Sequence, residues 1–169
     1  MKACPDDSGG VIVSWYRSGG PVSDRICAQR LDANGQRRWG AGGMRVSTAE
    51  MTQSLPRISR DEQGGAIVVW ANWRSANIAN VCGQRIDRDG NRLWSASGDS
   101  LVARGEVRSL TVTRRPGGGV FIGYWYTFGP LGVVAVDNAR TRVLSDTITT
   151  ASWLYSPPAL HSATAGNGA

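Results

Sequence analysis

The sequence has few of the residues on which most enzymes rely. It contains one histidine, three cysteines and a single lysine, Lys2. The histidine, His161, stands in a C-terminal segment rich in alanine, glycine and serine. Mechanisms that need a histidine base or a catalytic triad are therefore not expected, and a histidine-ligated metal site is disfavoured. We predict no catalytic residue, no metal site and no organic cofactor, because metal-ligand clusters and phosphate-binding motifs are both missing.

Three cysteines are too few for a disulfide framework. We predict that Cys27 and Cys82 are small buried apolar side chains, and Cys4 has no obvious partner. No stretch is long and apolar enough to span a membrane. The N-terminus lacks the apolar segment of a signal peptide, so the sequence leaves the cellular compartment unknown.

The positive charge comes almost entirely from arginine. The formal net charge is +6, and Lys2 is the only lysine among 19 basic residues. A basic chain is a candidate for binding nucleic acid or another polyanion. The arginines are spread along the whole sequence, however, so we interpret them as solvated residues on strand edges. An arginine-rich nucleic-acid or polyanion binder is kept as the second alternative function.

The chain contains a tandem repeat with a constant offset of 55 residues. A glycine pair, an apolar run and a tryptophan at 9–15 return at 64–70. A Cys-x-Gln-Arg-x-Asp stretch at 27–32 returns at 82–87, and Trp39 returns as Trp94. A third, eroded copy begins at the glycines of 117–119. Repeats of this length are typical of solenoids and propellers.

The repeat predicts an all-β, propeller-type array of about three four-stranded antiparallel blades. Glycine-rich turns alternate with short apolar runs, and Asp89-Gly90 between two such runs is a strong hairpin signal. Four antiparallel strands in about fifty residues match one propeller blade. The predicted array covers 1–155, in units 1–55, 56–110 and 111–155, and a flexible tail follows at 156–169.

Within these units the strands can be placed from the apolar runs and turns. Residues 1–6 are predicted as the remnant of a first strand, and 72–80 as a polar loop. The fourth strand of the second unit is predicted to open at 92–94. In the third unit, 133–137 is a strand and 147–155 is an outer strand or the start of a fourth unit.

The units resemble a bacterial β-propeller repeat family. Its members read Asp-x-x-Gly-Gly-x-x-x-x-Trp, followed by Ala-Gln-Arg-Leu-Asp-x-x-Gly-x-x-x-Trp. The residues that carry the resemblance are Asp6, Gly9, Gly10, Trp15, Ala28, Gln29, Arg30, Leu31, Asp32, Gly35, Trp39, Asp61, Gly64, Gly65, Trp70, Gln84, Arg85, Asp87, Gly90 and Trp94. The resemblance implies propeller blades in large, mostly uncharacterised bacterial proteins that are often exported, with a binding or scaffold role.

Aromatic residues beside arginines are the candidate ligand-binding residues. Tyr16-Arg17 and Trp73-Arg74 follow the second strands of successive units, and Tyr126 does so in the third. These positions share one end of the array, and such pairs suit sugar faces, peptides or stacked bases. The repeated tryptophans are instead predicted to be structural and largely buried; they are Trp15, Trp39, Trp70 and Trp94.

The acidic residues leave an enzyme as the first alternative. Asp32, Asp87 and Asp89 lie in turns that resemble calcium loops, but the third alternate acid is missing, and a β-turn explains the spacing. A carbohydrate-active propeller would need paired carboxylates, for which Asp61 and Asp137 join Asp87 as candidates.

The expected function is non-catalytic binding or assembly. Known propellers close with about four to eight blades, so three units would leave two end blades uncovered. A second copy of the chain would complete a ring, which makes a homodimer the favoured assembly. The blades of a longer parent chain are the competing explanation, and carbohydrate or protein ligands are possible partners.

Overall fold

The computed structural model describes residues 1–18, 25–127, 129 and 131–149. They form twelve strands, and the described part contains no helix. The strands are β1 (Lys2–Pro5), β2 (Val11–Arg17), β3 (Arg25–Leu31), β4 (Met44–Arg45), β5 (Thr52–Arg60), β6 (Ala66–Ser75), β7 (Ile78–Ile86), β8 (Asp99–Gly105), β9 (Val107–Arg114), β10 (Val120–Tyr126), β11 (Leu131–Val136) and β12 (Arg142–Thr149). The predicted tail lies outside the described residues.

The strands form three four-stranded antiparallel sheets, each in simple sequential order. We call them blade 1 (β1–β4), blade 2 (β5–β8) and blade 3 (β9–β12). The first strand of blade 2 contacts the first strands of both neighbours, so β1, β5 and β9 lie side by side at one edge of the array. The chain is therefore an all-β array of three propeller-type blades, which confirms the predicted fold class.

The core lies between the blades, in two separate clusters. One cluster joins blades 1 and 2 and includes Ile12, Trp39 and Trp70. The other joins blades 2 and 3 and includes Ile67 and Trp94. Successive residues of a strand point to opposite faces, so a strand between two neighbours must be apolar on both. This is why β6 is buried continuously at residues 66–71.

Several element boundaries differ from the sequence prediction. The fourth strand of blade 2 begins at Asp99, whereas 92–94 make only an isolated bridge through Arg92 and then a loop. The predicted polar loop at 72–80 is largely strand, because β6 and β7 extend into a long hairpin. The sheets of blades 2 and 3 begin at Thr52 and Val107, a few residues before the predicted unit boundaries.

A buried ion pair holds the first two strands of blade 1 to its third strand. The Asp6 carboxylate accepts hydrogen bonds from the backbone amides of Ser8 and Gly10, at 2.9 and 2.6 Å. Its other oxygen lies 2.7 Å from the Arg30 guanidinium, and both side chains are buried. Burial by itself would raise the pKa of Asp6, but the hydrogen bonds from Ser8, Arg30 and Gly10 outweigh it and lower that pKa well below its ordinary value.

Blade 2 repeats this arrangement and blade 3 does not. The Asp61 carboxylate accepts from the amides of Gln63 and Gly65 and lies 2.8 Å from Arg85. The Asp-x-x-Gly-Gly and Gln-Arg motifs are therefore two halves of one buried contact. In blade 3, Arg115 occupies the position of Asp61, since its amide donates to Gly119 as that of Asp61 donates to Gly65.

Trp70 is fully buried between blades, with 0 % of its surface exposed. We expect Trp70→Ala to lower the free energy of unfolding by roughly 3–5 kcal/mol, because it leaves a large cavity. Trp15 occupies the same position in blade 1 but is only partly buried, so Trp15→Ala should cost less. Urea denaturation would measure both, and near-normal stability of Trp70→Ala would contradict the structural role of this residue.

Acid should weaken the fold through Asp6. Because its folded pKa lies below the unfolded value of about 3.9, its stabilising contribution is complete at neutral pH and is lost as the pH falls through the folded pKa. Between pH 4 and 2, the unfolding free energy of the wild type should therefore fall more steeply than that of Asp6→Asn. Asp89→Asn, which removes an exposed carboxylate, is the control. Parallel pH profiles for wild type and Asp6→Asn in urea denaturation would contradict this.

Candidate functional site

The most distinctive site in the structure is the junction between neighbouring blades. Trp39 leaves the loop before β4, and its indole N–H donates to the Arg88 carbonyl of blade 2 at 3.0 Å. Trp94 leaves the corresponding loop of blade 2 and donates to the Asn138 carbonyl of blade 3 at 2.9 Å. Both acceptors directly follow the turn aspartate of the next blade. We call this repeated hydrogen bond the indole contact.

A buried glutamine holds each of these tryptophan loops in place. The side-chain oxygen of Gln29 accepts from the Trp39 amide at 2.8 Å, and its nitrogen donates to the Gly40 carbonyl at 2.6 Å. Gln84 makes the same contacts in blade 2, with Trp94 and Ser95, at 2.9 and 2.7 Å. The Gln of the Gln-Arg motif therefore positions the indole, while the Arg pairs with the buried aspartate.

The receiving half of the junction is the turn after the third strand. In blade 2, the Asp87 carboxylate accepts from the amides of Asp89 and Asn91 at 2.9 and 2.8 Å. Burial alone would raise the pKa of Asp87, but the hydrogen bonds from Asn91 and Asp89 lower it. Gly90 has a φ of 93°, and a Cβ there would lie 2.9 Å from the Trp39 ring. Glycine suits the positive φ of this turn and allows the close approach of the indole.

These carboxylates are engaged in the turns. Asp32 and Asp137 accept backbone amides in the same way as Asp87. Within the part of the chain that the structure describes, no group of three histidine, cysteine or acidic side chains is placed to hold a metal ion.

Arginines add two further contacts at each junction. Arg60 of blade 2 pairs with Asp7 of blade 1, and Arg114 of blade 3 pairs with Glu62 of blade 2. Arg92 donates to the carbonyls of Arg45, the last residue of β4, and of Val46, which follows it, at 2.6 and 3.2 Å. Arg142 donates in the same way to the Leu101 carbonyl in β8. The two junctions therefore contain the same kinds of ion pair and arginine–carbonyl hydrogen bond.

Blade 1 has residues equivalent to the receiving half of a junction, and no described blade covers them. One face of blade 1 has four apolar residues that are only partly buried, Val11, Val13, Trp15 and Leu31. We call this set the open face of blade 1. Their counterparts one repeat later are completely buried against blade 1; these are Ala66, Val68, Trp70 and Ile86.

The turn of blade 1 is also uncovered. No atom lies within 4 Å of a Cβ built on Gly35, whereas the equivalent Gly90 is covered by Trp39. Arg37, the counterpart of Arg92 and Arg142, is exposed, and its guanidinium has no hydrogen bond to any described residue. Blade 1 therefore presents the turn, the arginine and the apolar face that blades 2 and 3 use to bind the preceding blade.

Blade 3 carries a modified donating half. Leu144 is seven residues after the turn aspartate of blade 3, Asp137. Trp39 and Trp94 have the same spacing from the turn aspartates of blades 1 and 2. Leu144 is 46 % exposed. Val134 replaces the glutamine of the Gln-Arg motif, as the β10–β11 register shows. Without that amide to support a loop, β12 pairs with β11 from Arg142 onward, with two register shifts along the ladder.

Two of the predicted ligand-binding residues line a surface pocket. Trp73 and Arg74 lie at the end of β6 and border an open pocket of about 360 Å³, together with Thr52, Ser75 and Ala76. The Trp73 indole donates to the Ser54 hydroxyl at 2.7 Å, which orients its ring. The sequence predicts a loop at Trp73 and Arg74, but both belong to the extended β6 strand.

The other three predicted ligand-binding residues lie outside this pocket lining. Tyr16 and Arg17 end β2 and are exposed. Tyr126 is buried, and its hydroxyl donates to the Ala103 carbonyl at 2.8 Å. Burial, with a smaller contribution from Tyr124, raises the pKa of Tyr126 to about 12. Tyr126 thus packs between blades 2 and 3.

The cysteines and most charged residues have structural surroundings. Cys4, Cys27 and Cys82 are free and buried, and burial raises the pKa of Cys4 and Cys82 to about 12. Nine arginines form ion pairs within the described residues, so much of the positive charge is neutralised inside the chain. No helix long and apolar enough to cross a membrane occurs in the described ranges.

Comparisons with known proteins give one structural similarity. No protein-family model matches the chain, and no curated protein matches it. The chain is similar to the crystal structure of an endo-arabinase from Bacteroides thetaiotaomicron VPI-5482, with a TM-score of 0.49 and 11 % sequence identity. The similarity covers 84 % of this chain and 59 % of that one, so this chain spans less than two thirds of the endo-arabinase. The resemblance to a bacterial repeat family stays a prediction.

Proposed function

We propose that this chain is a non-catalytic assembly module that completes a ring of blades by self-association. The observation that carries the proposal is the open face of blade 1. Its apolar side chains are equivalent to Ala66, Val68, Trp70 and Ile86 of blade 2, which are completely buried. An apolar sheet face at the end of an array is an aggregation hazard unless another surface covers it, and covering it is favourable by about 25 cal/mol per Å² of apolar surface removed from water.

The surroundings of the carboxylates support a non-catalytic role. Asp61, one candidate for a glycosidase pair, is buried against Arg85. The other two, Asp87 and Asp137, accept backbone amides in turns of neighbouring blades. A general acid or nucleophile must be free to reach a substrate, and these three side chains are occupied by the fold.

Self-association should be visible as mass in solution. At micromolar concentration we expect light scattering to give about twice the 18.1 kDa of one chain. Val13→Lys should yield the monomer, because it places a charge on the open face of blade 1 without disturbing a buried contact. Asn77→Lys, on the exposed β6–β7 hairpin, is the matched control and should stay dimeric. A soluble wild-type monomer that unfolds cooperatively would disprove the proposed self-association.

The pocket beside Trp73 and Arg74 supports a second function, ligand binding. An aromatic face next to a guanidinium suits the apolar face and hydroxyl groups of a sugar. We expect neutral oligosaccharides to change the intrinsic tryptophan fluorescence in a saturable way. Arg74→Ala should weaken binding roughly tenfold, since a hydrogen bond from a charged donor contributes about 1.5–3 kcal/mol.

The control for this pocket is Arg88→Ala, which removes an exposed arginine at a distant turn. It should bind the oligosaccharide as the wild type does. Equal affinities for wild type, Arg74→Ala and Arg88→Ala, or no saturable response at all, would remove the pocket as a sugar site.

A further inference from the structure

We infer that the surface covering blade 1 is blade 3 of a second copy, so that two chains join head to tail into a six-bladed ring. The inference rests on the proposed function and specifies its partner and geometry. Six blades lie within the range of about four to eight at which propellers close. The two junctions of such a ring are related by a two-fold axis, so each chain uses the same pair of faces.

The outward face of blade 3 is the counterpart of the faces that pack inside the chain. Phe121, Ala135 and Leu144 stand opposite one another across β10, β11 and β12, and residues in such register share one face of a sheet. Phe121 corresponds to Ile12 and Ile67, each of which packs into the cluster formed with the following blade. Phe121 and Leu144 therefore point toward the position of a fourth blade.

Leu144 matches the uncovered turn of blade 1. In blade 1 the residue at its position is Trp39, which lies on the turn glycine Gly90 of blade 2. In blade 1 the turn glycine, Gly35, has open space above it. A leucine there would cover the glycine but would donate no hydrogen bond to the Ala33 carbonyl, the counterpart of the Arg88 carbonyl. The junction between chains is thus a weaker version of the junctions within them.

The two end faces both lack the charged residues that form an ion pair at the junctions within the chain. Within the chain, a basic residue of one blade pairs with an acidic residue of the blade before it, as Arg60 does with Asp7. At a head-to-tail junction these two positions are held by Pro5 and Pro116. Both charges are missing together, so neither partner leaves an unpaired charge at the interface. A foreign blade with the usual acid at this position would face Pro5 without its arginine.

Arg37 supplies the remaining polar contact. Its counterparts, Arg92 and Arg142, donate to carbonyls of the fourth strand of the preceding blade. In the ring that strand is β12 of the second copy. The strand register identifies the acceptors. Thr147 pairs with Gly132 as Ser100 pairs with Cys82, so the carbonyls near Thr147 correspond to the Leu101 carbonyl that Arg142 binds.

Complementation between two variants tests the head-to-tail geometry. Val13→Lys damages only the blade 1 face, and Leu144→Glu damages only the blade 3 face. We expect each variant alone to be monomeric, and an equimolar mixture to regain dimers, because one wild-type junction can form between the two chains. Native mass spectrometry identifies the mixed dimer by its mass. Val143→Glu is the control for Leu144→Glu, since Val143 is equally exposed but lies outside the Phe121 row.

Leu144→Trp is the gain-of-function test of the same junction. It restores the missing indole donor, so each of the two junctions gains a hydrogen bond. The Kd of the dimer should therefore fall by a factor of roughly ten or more. Thermal melts establish that each variant folds, and Val11→Lys replaces Val13→Lys if the latter does not.

The outcomes separate this inference from the proposed function. A dimer that survives both Val13→Lys and Leu144→Glu, or a mixture of the two variants that stays monomeric, overturns the head-to-tail junction while self-association of the wild type still stands. A wild-type monomer overturns the proposed self-association, and the head-to-tail junction is overturned with it if Leu144→Trp is monomeric as well.

Discussion

Packing between blades is the interaction on which the rest of this structure depends. A four-stranded sheet has two faces, and a blade with apolar residues on both cannot bury them within itself. Each junction combines an apolar cluster with one indole hydrogen bond, from Trp39 to Arg88 and from Trp94 to Asn138. The motif residues Gln, Asp and Gly serve this contact, because they shape the loop that presents the indole and the turn that receives it.

The same packing requirement distinguishes the two end blades from the central blade. Both faces of blade 2 are covered by neighbouring blades, whereas the receiving face of blade 1 is covered by none of the described blades. The polar groups that would serve chemistry elsewhere are used by the fold: Asp6 and Asp61 pair with arginines, and the turn aspartates bind backbone amides. This arrangement is the reason why we propose assembly as the function.

Much of the fold was predictable because the repeat is regular. The number of blades, their antiparallel strands and the burial of Trp39, Trp70 and Trp94 follow from the spacing of glycines, apolar runs and tryptophans. The long β6–β7 hairpin was missed because its polar residues, such as Asn72, resemble a loop. The fourth strand of blade 2 begins later than the sequence predicts, because Gln84 rather than strand pairing holds Trp94 in its loop.

The sequence by itself determined the repeating unit, since period, turns and apolar strands are local properties of the chain. Only the tertiary structure decided what the repeated residues do. It showed that Trp39 and Trp94 bind the next blade, that Trp70 packs against the previous one, and that Tyr126 is enclosed while Trp73 borders a pocket. The physical reason is that burial depends on a neighbouring blade, and equivalent residues such as Trp15 and Trp70 differ only in having one.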